Sequence, residues 1–165
     1  MSVFRVSSKF SRIFGHQLRY KSLQIKSRGY ADAQMPVTFA SPTKIFYDQV
    51  NIKQVDVPSY SGSFGILPNH VPVIAMLKPG VVTVYEQDGS TNKFFVSSGS
   101  VTINEDSSVQ VLAEEAVPVE NLDQQACREG LHKAQQDLGS ATTDEARAEA
   151  QIAVEVHEAL VKAVE

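Results

Sequence analysis

The stretch from Ser61 to Gly80 constrains the fold of this chain more than any other part of the sequence. It reads S-G-S-F-G-I-L-P-N-H-V-P-V-I-A-M-L-K-P-G, an apolar run interrupted by three glycines and three prolines. These residues predict a backbone that turns repeatedly, while the apolar side chains between the turns are expected to be buried. Proline fixes φ near about −65° and so reduces the entropy that folding removes. We therefore expect a rigid contact surface built from loops.

Charge is distributed unevenly along the 165 residues. Residues 1–31 contain seven of the fifteen Lys and Arg and no acid, so eight basic residues remain against nineteen Asp and Glu, a net charge of −11. An acidic body repels phosphate backbones and anionic lipid head groups, which disfavours nucleic-acid binding and electrostatic adsorption to membranes. The sequence has no run of about 18 apolar residues that would span a bilayer. A single cysteine, Cys127, excludes an internal disulfide.

Residues 1–30 have the composition of a cleavable mitochondrial presequence, because they are basic, rich in serine and free of acids. Their apolar residues can gather on one side of a helix: Phe4, Phe10, Ile13, Phe14 and Leu18. The alternative is a basic tail that binds nucleic acid. The sequence Arg28-Gly29-Tyr30 before Ala31 resembles a matrix-peptidase site with arginine three residues before the cut. We therefore predict a mature N-terminus at Ala31.

Residues 37–117 alternate short β-branched and aromatic segments with turn residues, which predicts an antiparallel β-sandwich or flattened barrel. The predicted strands are Val37 to Ala40, Lys44 to Phe46, Ile52 to Val57, Val73 to Leu77, Val81 to Tyr85, Lys93 to Ser97, Ser100 to Ile103 and Val109 to Ala113. Asp88-Gly89 is the clearest hairpin turn. The apolar phase changes between Ile52 and Val55, which predicts a bulge near Lys53 and Gln54.

After Pro118 the apolar period becomes helical, which predicts two helices in an antiparallel hairpin. The apolar line of the first helix is Leu122, Ala126, Gly130, Leu131, Ala134 and Leu138, and that of the second is Ala146, Ala150, Ala153, His157, Leu160 and Val164. Gly139 is expected to end the first helix, and Thr142 with Glu145 to form a capping box for the second. Alanines bury little area, so the hairpin should be the least firmly held part. The predicted α+β chain is thus a presequence at 1–30, a β-sandwich at 31–118 and a helical hairpin at 119–165.

The residues offer no evident catalytic, metal or cofactor site. No G-x-x-x-x-G-K-[ST] phosphate loop occurs, which argues against ATP hydrolysis. Glu114 and Glu115 are adjacent, so on a strand they would point to opposite faces and could not act as an acid–base pair. The histidines lack ligand spacing. His157 lies on the apolar line of the second helix, where either a satisfied core histidine or a histidine between the helices is expected.

Several motifs together resemble one known family. The string G-I-L-P-N-H-V-P from Gly65 to Pro72, closed by L-K-P-G at Leu77 to Gly80, is similar to the characteristic loop of the small central-stalk subunit of F-type ATP synthases. This subunit is called delta in mitochondria and epsilon in bacteria and chloroplasts. The resemblance continues through V-D-V-P (55–58), F-V-S-S-G-S (95–100), L-A-E-E-A-V (112–117) and A-L-V-K-A (159–163). It therefore covers the chain from about Phe39 to the C-terminus.

The resemblance implies a non-catalytic rotor subunit that couples the stalk to the membrane ring, so that proton-driven rotation drives ATP synthesis. The implied partners are the gamma subunit, the mitochondrial epsilon subunit and the proteolipid c-ring, with the chain peripheral on the matrix side of the mitochondrial inner membrane. The implied ring-facing loop is Ser61, Gly62, Ser63, Phe64 and Gly65, and the implied stalk-facing loop is Pro68, Asn69, His70, Val71 and Pro72. Many bacterial members have an acid where this chain has Ser63. For His70, the alternative is a histidine that bonds its own loop.

Bacterial members often carry a nucleotide-binding motif, [I/L]-D-x-x-R-A, at the start of the hairpin. The matching residues here are Leu122-Asp123-Gln124-Gln125-Ala126-Cys127, so Ala126 replaces the arginine that would contact phosphate. We therefore predict that the hairpin does not sense ATP. Two other classes of function stay open at this point, namely a matrix β-sandwich adaptor that binds an unrelated partner and an enzyme with a pocket between sandwich and hairpin.

Overall fold

A computed structural model describes residues 34–165 of the chain. The presequence predicted at 1–30 and its cleavage site at Arg28, Tyr30 and Ala31 lie outside the described residues. Both stay predictions.

The described part consists of nine strands followed by two helices. The strands are β1 (Pro36–Ala40), β2 (Ile45–Ser59), β3 (Gly62–Ile66), β4 (Val73–Leu77), β5 (Gly80–Glu86), β6 (Thr91–Val96), β7 (Gly99–Ile103), β8 (Val109–Ala113) and β9 (Ala116–Pro118). A short 3₁₀ turn (Val119–Asn121) leads to α1 (Gln124–Ser140) and α2 (Asp144–Val164). This confirms the predicted α+β class, a β-sandwich followed by a two-helix hairpin.

The long strand β2 connects the two layers of the sandwich. Its first half pairs with β1, and its second half pairs with β3 and β5. The sheet continues from β1 through β8 and β7 to β4, and β4 returns to β2 at the pair Ser59 and Leu77. The strands therefore close on themselves as a flattened barrel. Among the described pairs, β1 with β8 is parallel and the others are antiparallel.

β2 also shows where the predicted strand boundaries differ from the structure. The sequence predicts two strands, Lys44 to Phe46 and Ile52 to Val57, but the structure has one strand of 15 residues. The backbone absorbs the change of apolar phase by irregular pairing, with a register shift between Ile52 and Gln54. The predicted bulge is thus confirmed. Asp88-Gly89 also forms the predicted turn, in which the carboxylate of Asp88 accepts a hydrogen bond from the N–H of Ser90 at 2.8 Å.

Inward-facing aliphatic and aromatic side chains of both layers form the core. The largest fully buried ones are Phe39, Met35, Ile52, Ile66 and Leu77. At one end, the rings of Phe39, Phe46, Tyr47 and Phe94 pack with centroids 5.0–6.1 Å apart. Each fully buried large apolar side chain stabilises the fold by about 1.5–3 kcal/mol, so this core holds the sandwich together.

The helical hairpin buries few side chains. Cys127, Ala134 and Ala150 are the buried residues of its two helices. Three details of the prediction are wrong. Cys127 rather than Ala126 faces inward, α1 continues through Gly139 to Ser140, and Thr143 rather than Thr142 caps α2. Thr143 is the cap because its hydroxyl accepts a hydrogen bond from the N–H of Ala146 at 3.2 Å, the usual arrangement of an N-cap.

The two helices approach closely where Gly130 of α1 meets His157 of α2. A Cβ at Gly130 would lie 2.5 Å from Cε1 and 2.7 Å from Nδ1 of the imidazole. His157 is therefore an interhelical histidine, one of the two predicted alternatives. Its Nδ1 is buried and has no hydrogen-bond partner among the described residues. No helix of the described part is long and apolar enough to cross a membrane.

Candidate interaction surface

The predicted ring-facing segment, Ser61–Gly65, belongs to a β-hairpin between β2 and β3. The hydroxyl of Ser59 closes the turn, because it donates to the carbonyl of Gly62 at 2.6 Å and lies 2.9 Å from the hydroxyl of Ser61. Gly62 has φ of +124°, a conformation that other residues rarely adopt. The expectation of a surface built from loops is therefore wrong here, since most of this segment is strand β3.

Glycine is required at position 65 because neighbouring side chains lie close to its Cα, and not because of its backbone angles. A Cβ at this position would lie 2.8 Å from Oδ1 of Asp56 and 3.1 Å from Nε2 of Gln54 on the neighbouring strand. The amide of Gln54 donates to Asp56 at 2.6 Å. The negative charge of Asp56 raises the pKa of Tyr85. These polar side chains cover the hairpin backbone at Gly65.

The predicted stalk-facing segment, Pro68–Pro72, connects β3 to β4 and is held in a fixed turn. The N–H of His70 donates to the carbonyl of Leu67 at 3.1 Å, and Asn69 has φ of +63°. Asparagine tolerates this left-handed conformation better than most residues. The N–H of Asn69 donates to the hydroxyl of Ser107 at 3.1 Å, which ties the turn to the connection between β7 and β8. The loop is thus held by one hydrogen bond within the turn and by another to the β7–β8 connection.

His70 makes the local hydrogen bond that was considered as the alternative to an interface role. Its Nδ1 lies 2.8 Å from the carbonyl oxygen of Val71. Its ring lies beside Phe64, with centroids 6.1 Å apart. The stalk-facing loop therefore packs against the ring-facing hairpin. A contact between His70 and a partner stays a prediction.

Several apolar side chains of this region are exposed. The prediction of burial holds for Ile66 and Leu77, but it is wrong for Leu67, Val71, Ile74 and Met76, which are 52%, 68%, 77% and 62% exposed. The reason is the alternation of β4: Leu77 points into the core, while Ile74 and Met76 point out of the sheet. Folding the described residues leaves this side uncovered.

The exposed residues of β4 continue onto the neighbouring strands. Met76 pairs with Ser100 of β7, and Ser100 pairs with Leu112 of β8, which is 50% exposed. A shallow groove of about 640 Å³ runs along this row towards Ala40. We call Ile74, Met76 and Leu112 the apolar face. Large exposed apolar patches of this kind mark sites of protein interaction.

The sequence pattern does not distinguish the apolar face as a site. β4 is apolar at every position, which is also the pattern of a strand buried on both sides. The sequence predicts one helical hairpin after the sandwich, and the structure shows that this hairpin packs against β5 through α2. One side of the other layer is thereby left without a cover.

The acidic candidates have structural roles. Glu114 and Glu115 follow β8 instead of lying on a strand, and both are exposed. The hydroxyl of Ser98 donates to Glu114 at 2.7 Å. Asp123 caps α1, since its carboxylate accepts from the N–H groups of Gln125 and Ala126. Within residues 34–165, no group of three His, Cys, Asp or Glu is arranged to hold a metal ion.

Comparison with known proteins identifies the family. A family model described as "ATP synthase, Delta/Epsilon chain, beta-sandwich domain" matches residues 34–119, and one described as "Metazoan delta subunit of F1F0-ATP synthase, C-terminal domain" matches residues 122–163. The chain belongs to the ATP synthase delta/epsilon family. This confirms the family that the motif around Gly65 to Pro72 indicates.

Relatives within the delta/epsilon family are similar over most of their length. The mitochondrial ATP synthase subunit delta of Caenorhabditis elegans is 47% identical over 148 residues, covering 84% of this chain and 90% of the relative. The subunit of the same name from Yarrowia lipolytica is 42% identical over 144 residues, covering 84% and 88%.

Two solved structures share the fold at low sequence identity. A chain of the Euglena gracilis mitochondrial ATP synthase, in a structure of OSCP, F1 and the c-ring, has a TM-score of 0.76 at 22% identity and covers 98% of this chain and all of its own. A chain of the Tetrahymena thermophila central stalk and c-ring has a TM-score of 0.60 at 17% identity, covering 79% of this chain and 96% of its own. At these identities the likeness shows the fold alone.

Proposed function

We propose that this chain is a non-catalytic subunit of the central stalk of mitochondrial ATP synthase and rotates with it. In this role it joins the gamma subunit to the proteolipid c-ring, so that proton-driven rotation of the ring turns the stalk. The catalytic sites of the complex lie on other subunits. The chain is peripheral to the inner membrane on the matrix side.

The apolar face is the observation that carries this proposal. Ile74 is 77% exposed, and an apolar side chain gains about 25 cal/mol per Å² when a partner removes it from water. Leu67 and Val71 continue the exposed apolar surface into the stalk-facing loop, Pro68–Pro72. We therefore assign the apolar face and this loop together to the contact with the gamma subunit. A rigid contact is what transmission of torque requires.

The hairpin at Ser61–Gly65 is the proposed contact with the c-ring. Its turn at Tyr60 and Ser61 lies beyond the pair Ser59 and Leu77, where β2 meets β4, and the rest of the segment runs back beside β2 as strand β3. Ser63 provides a hydroxyl where many bacterial members provide an acid. The mitochondrial epsilon subunit is the third proposed partner, near the junction of sandwich and hairpin.

A blue-native gel of mitochondria that lack this chain tests the proposal. We expect loss of the intact, coupled ATP synthase and its recovery when the chain is expressed again. Intact and coupled enzyme without the chain would overturn the proposal. Purification of the tagged chain provides a second test, because an adaptor with an unrelated partner would not bring the gamma subunit with it.

A further inference from the structure

We infer that Tyr60, at the tip of the β2–β3 hairpin, is the principal ring-contacting residue, and that it binds a polar protein loop through an uncharged contact. The inference rests on the proposed function, which places this hairpin against the ring. Tyr60 is not among the residues that the family motif selects. Its side chain is 68% exposed.

The hairpin presents Tyr60 in a fixed position. The hydroxyl of Ser59 bonds the carbonyl of Gly62 at 2.6 Å and thereby closes the turn beneath it. The N–H of Tyr60 donates to the carbonyl of Met76 at 3.3 Å, and the N–H of Lys78 donates to the carbonyl of Pro58 at 3.2 Å. These bonds join the hairpin to β4. A rigid aromatic anchor loses little entropy on binding, which is why tyrosine is frequent among residues that dominate interfaces.

The stretch of sequence that contains Tyr60 is uncharged. No Lys, Arg, Asp or Glu occurs from Val57 to Leu77, although residues 32–165 carry eight basic and nineteen acidic residues. The residues next to Tyr60 are Ser59 and Ser61, followed by Gly62 and Ser63. An ionic contact therefore has no charged side chain between Val57 and Leu77, and the acid nearest to the turn is Asp56 of β2. The available interactions are stacking of the phenol ring on a peptide plane and hydrogen bonds from hydroxyl groups.

The same features favour a protein loop over the lipid surface as the partner. Adsorption to anionic lipids requires clustered basic residues, whereas the basic residues that flank this segment along the chain are single ones, Lys53 and Lys78. The net charge of the body also opposes such adsorption. Exposed peptide groups and small polar side chains of a loop match the phenol and the serine hydroxyls.

The test compares Tyr60→Ala with Tyr60→Phe in mitochondria whose wild-type copy has been replaced. Solubilised complexes are immunopurified through the gamma subunit at 0.05 M and 0.5 M salt, and the retained c-ring is quantified. We expect Tyr60→Ala to lower ring retention about 10-fold or more, and Tyr60→Phe to lower it about 2- to 3-fold. In the wild type, retention should be the same within about twofold at the two salt concentrations, because an uncharged contact is not screened.

Ile152→Ala is the matched control, because Ile152 is 63% exposed on α2, which packs mainly against α1 and β5. It should retain the ring like the wild type. Unchanged ring retention in Tyr60→Ala, or a loss of the wild-type ring on raising the salt, would overturn the inference. If the mature wild-type chain binds to vesicles of mitochondrial lipid composition and Tyr60→Ala does not, the partner of Tyr60 is lipid rather than the ring loop. This result would also overturn the inference. A wild-type chain that does not purify with the gamma subunit contradicts the proposed function instead.

Discussion

Tyr47 shows how one residue connects distant parts of the sandwich. Its hydroxyl donates to Oε1 of Glu86 at 2.9 Å and accepts from Nδ2 of Asn92 at 2.8 Å. The amide of Asn92 also donates to Glu86, at 2.7 Å. Burial raises the pKa of Tyr47, the carboxylate of Glu86 raises it further, and the hydrogen bond from Asn92 opposes the rise. The folded state therefore favours the neutral phenol.

Replacing Tyr47 by phenylalanine removes the hydroxyl and keeps the ring. We expect the free energy of unfolding at pH 7 to fall by about 1 kcal/mol, because Asn92 and Glu86 remain bonded to each other. The raised pKa means that the unfolded chain ionises first, so the contribution of Tyr47 is complete below pH of about 10 and is lost as the pH rises further. Urea unfolding of the mature chain between pH 7 and 11 measures both effects.

The phenylalanine variant should lose less stability above pH of about 10 than the wild type loses. Tyr60→Phe serves as the control at pH 7, because Tyr60 is exposed and its hydroxyl should change stability by less than about 0.5 kcal/mol. If the wild type and Tyr47→Phe lose the same free energy of unfolding at alkaline pH, Tyr47 does not contribute to that loss.

Among the elements, the helical hairpin depends on one close contact. Gly130 lies against the imidazole of His157, whereas Gly139, also in α1, has no atom within 4 Å of where its Cβ would lie. Both are helical glycines, and alanine at either position gains about 1 kcal/mol in helix propensity. The difference in the free energy of unfolding between the two alanine variants therefore reports the packing between the helices.

We expect Gly139→Ala to raise the free energy of unfolding of the hairpin by about 0.5–1 kcal/mol and Gly130→Ala to lower it by up to about 2 kcal/mol. The second value is an overpacking cost of about 1–3 kcal/mol reduced by the gain in propensity. Thermal unfolding followed by helical circular dichroism measures both. Adding His157→Ala to Gly130→Ala should recover stability, and a gain of stability in Gly130→Ala alone would contradict the contact.

Strand β4 contributes to the core through one side and to the proposed stalk contact through the other. Ile74→Lys changes the exposed side, so it should alter the free energy of unfolding by less than about 0.5 kcal/mol. It places a charge in an apolar contact, and we expect co-purification of the gamma subunit to fall at least about 10-fold. Ile152→Lys is the control at similar exposure. Equal recovery of the gamma subunit with both variants would remove β4 from the interface.

At the scale of the whole molecule, stability is concentrated in the sandwich. Its core contains many fully buried large side chains, whereas the buried residues of the hairpin are Cys127, Ala134 and Ala150. Small side chains contribute little apolar area, and parts of a protein with little buried area open most readily. The hairpin should therefore open in the isolated chain while the sandwich stays folded.

Amide hydrogen exchange of the mature chain measures this difference. We expect the amides of α1 and α2 to exchange at least about 10-fold faster than those of β5 and β7, since the hairpin opens locally and the core strands open only with global unfolding. Equal protection of helices and core strands would instead show that the chain unfolds as one cooperative unit. Assembly with partners should slow exchange in whichever surface they cover.

Local sequence patterns were enough to predict the class of fold, most strands, the bulge after Ile52 and the family. These features depend on local patterns, namely apolar periodicity, turn residues and motif order. They did not determine that β2 is one continuous strand, that β3 forms within the glycine-rich segment, or that Thr143 caps α2.

Tertiary structure decided which apolar residues remain exposed. Ile66 and Ile74 are equally apolar, yet one is fully buried and the other is 77% exposed. The difference arises because each side of a strand is buried only if another layer packs on it, and the single hairpin packs against β5 rather than β4. Burial of a face depends on contacts between residues far apart in the chain, which local patterns do not contain.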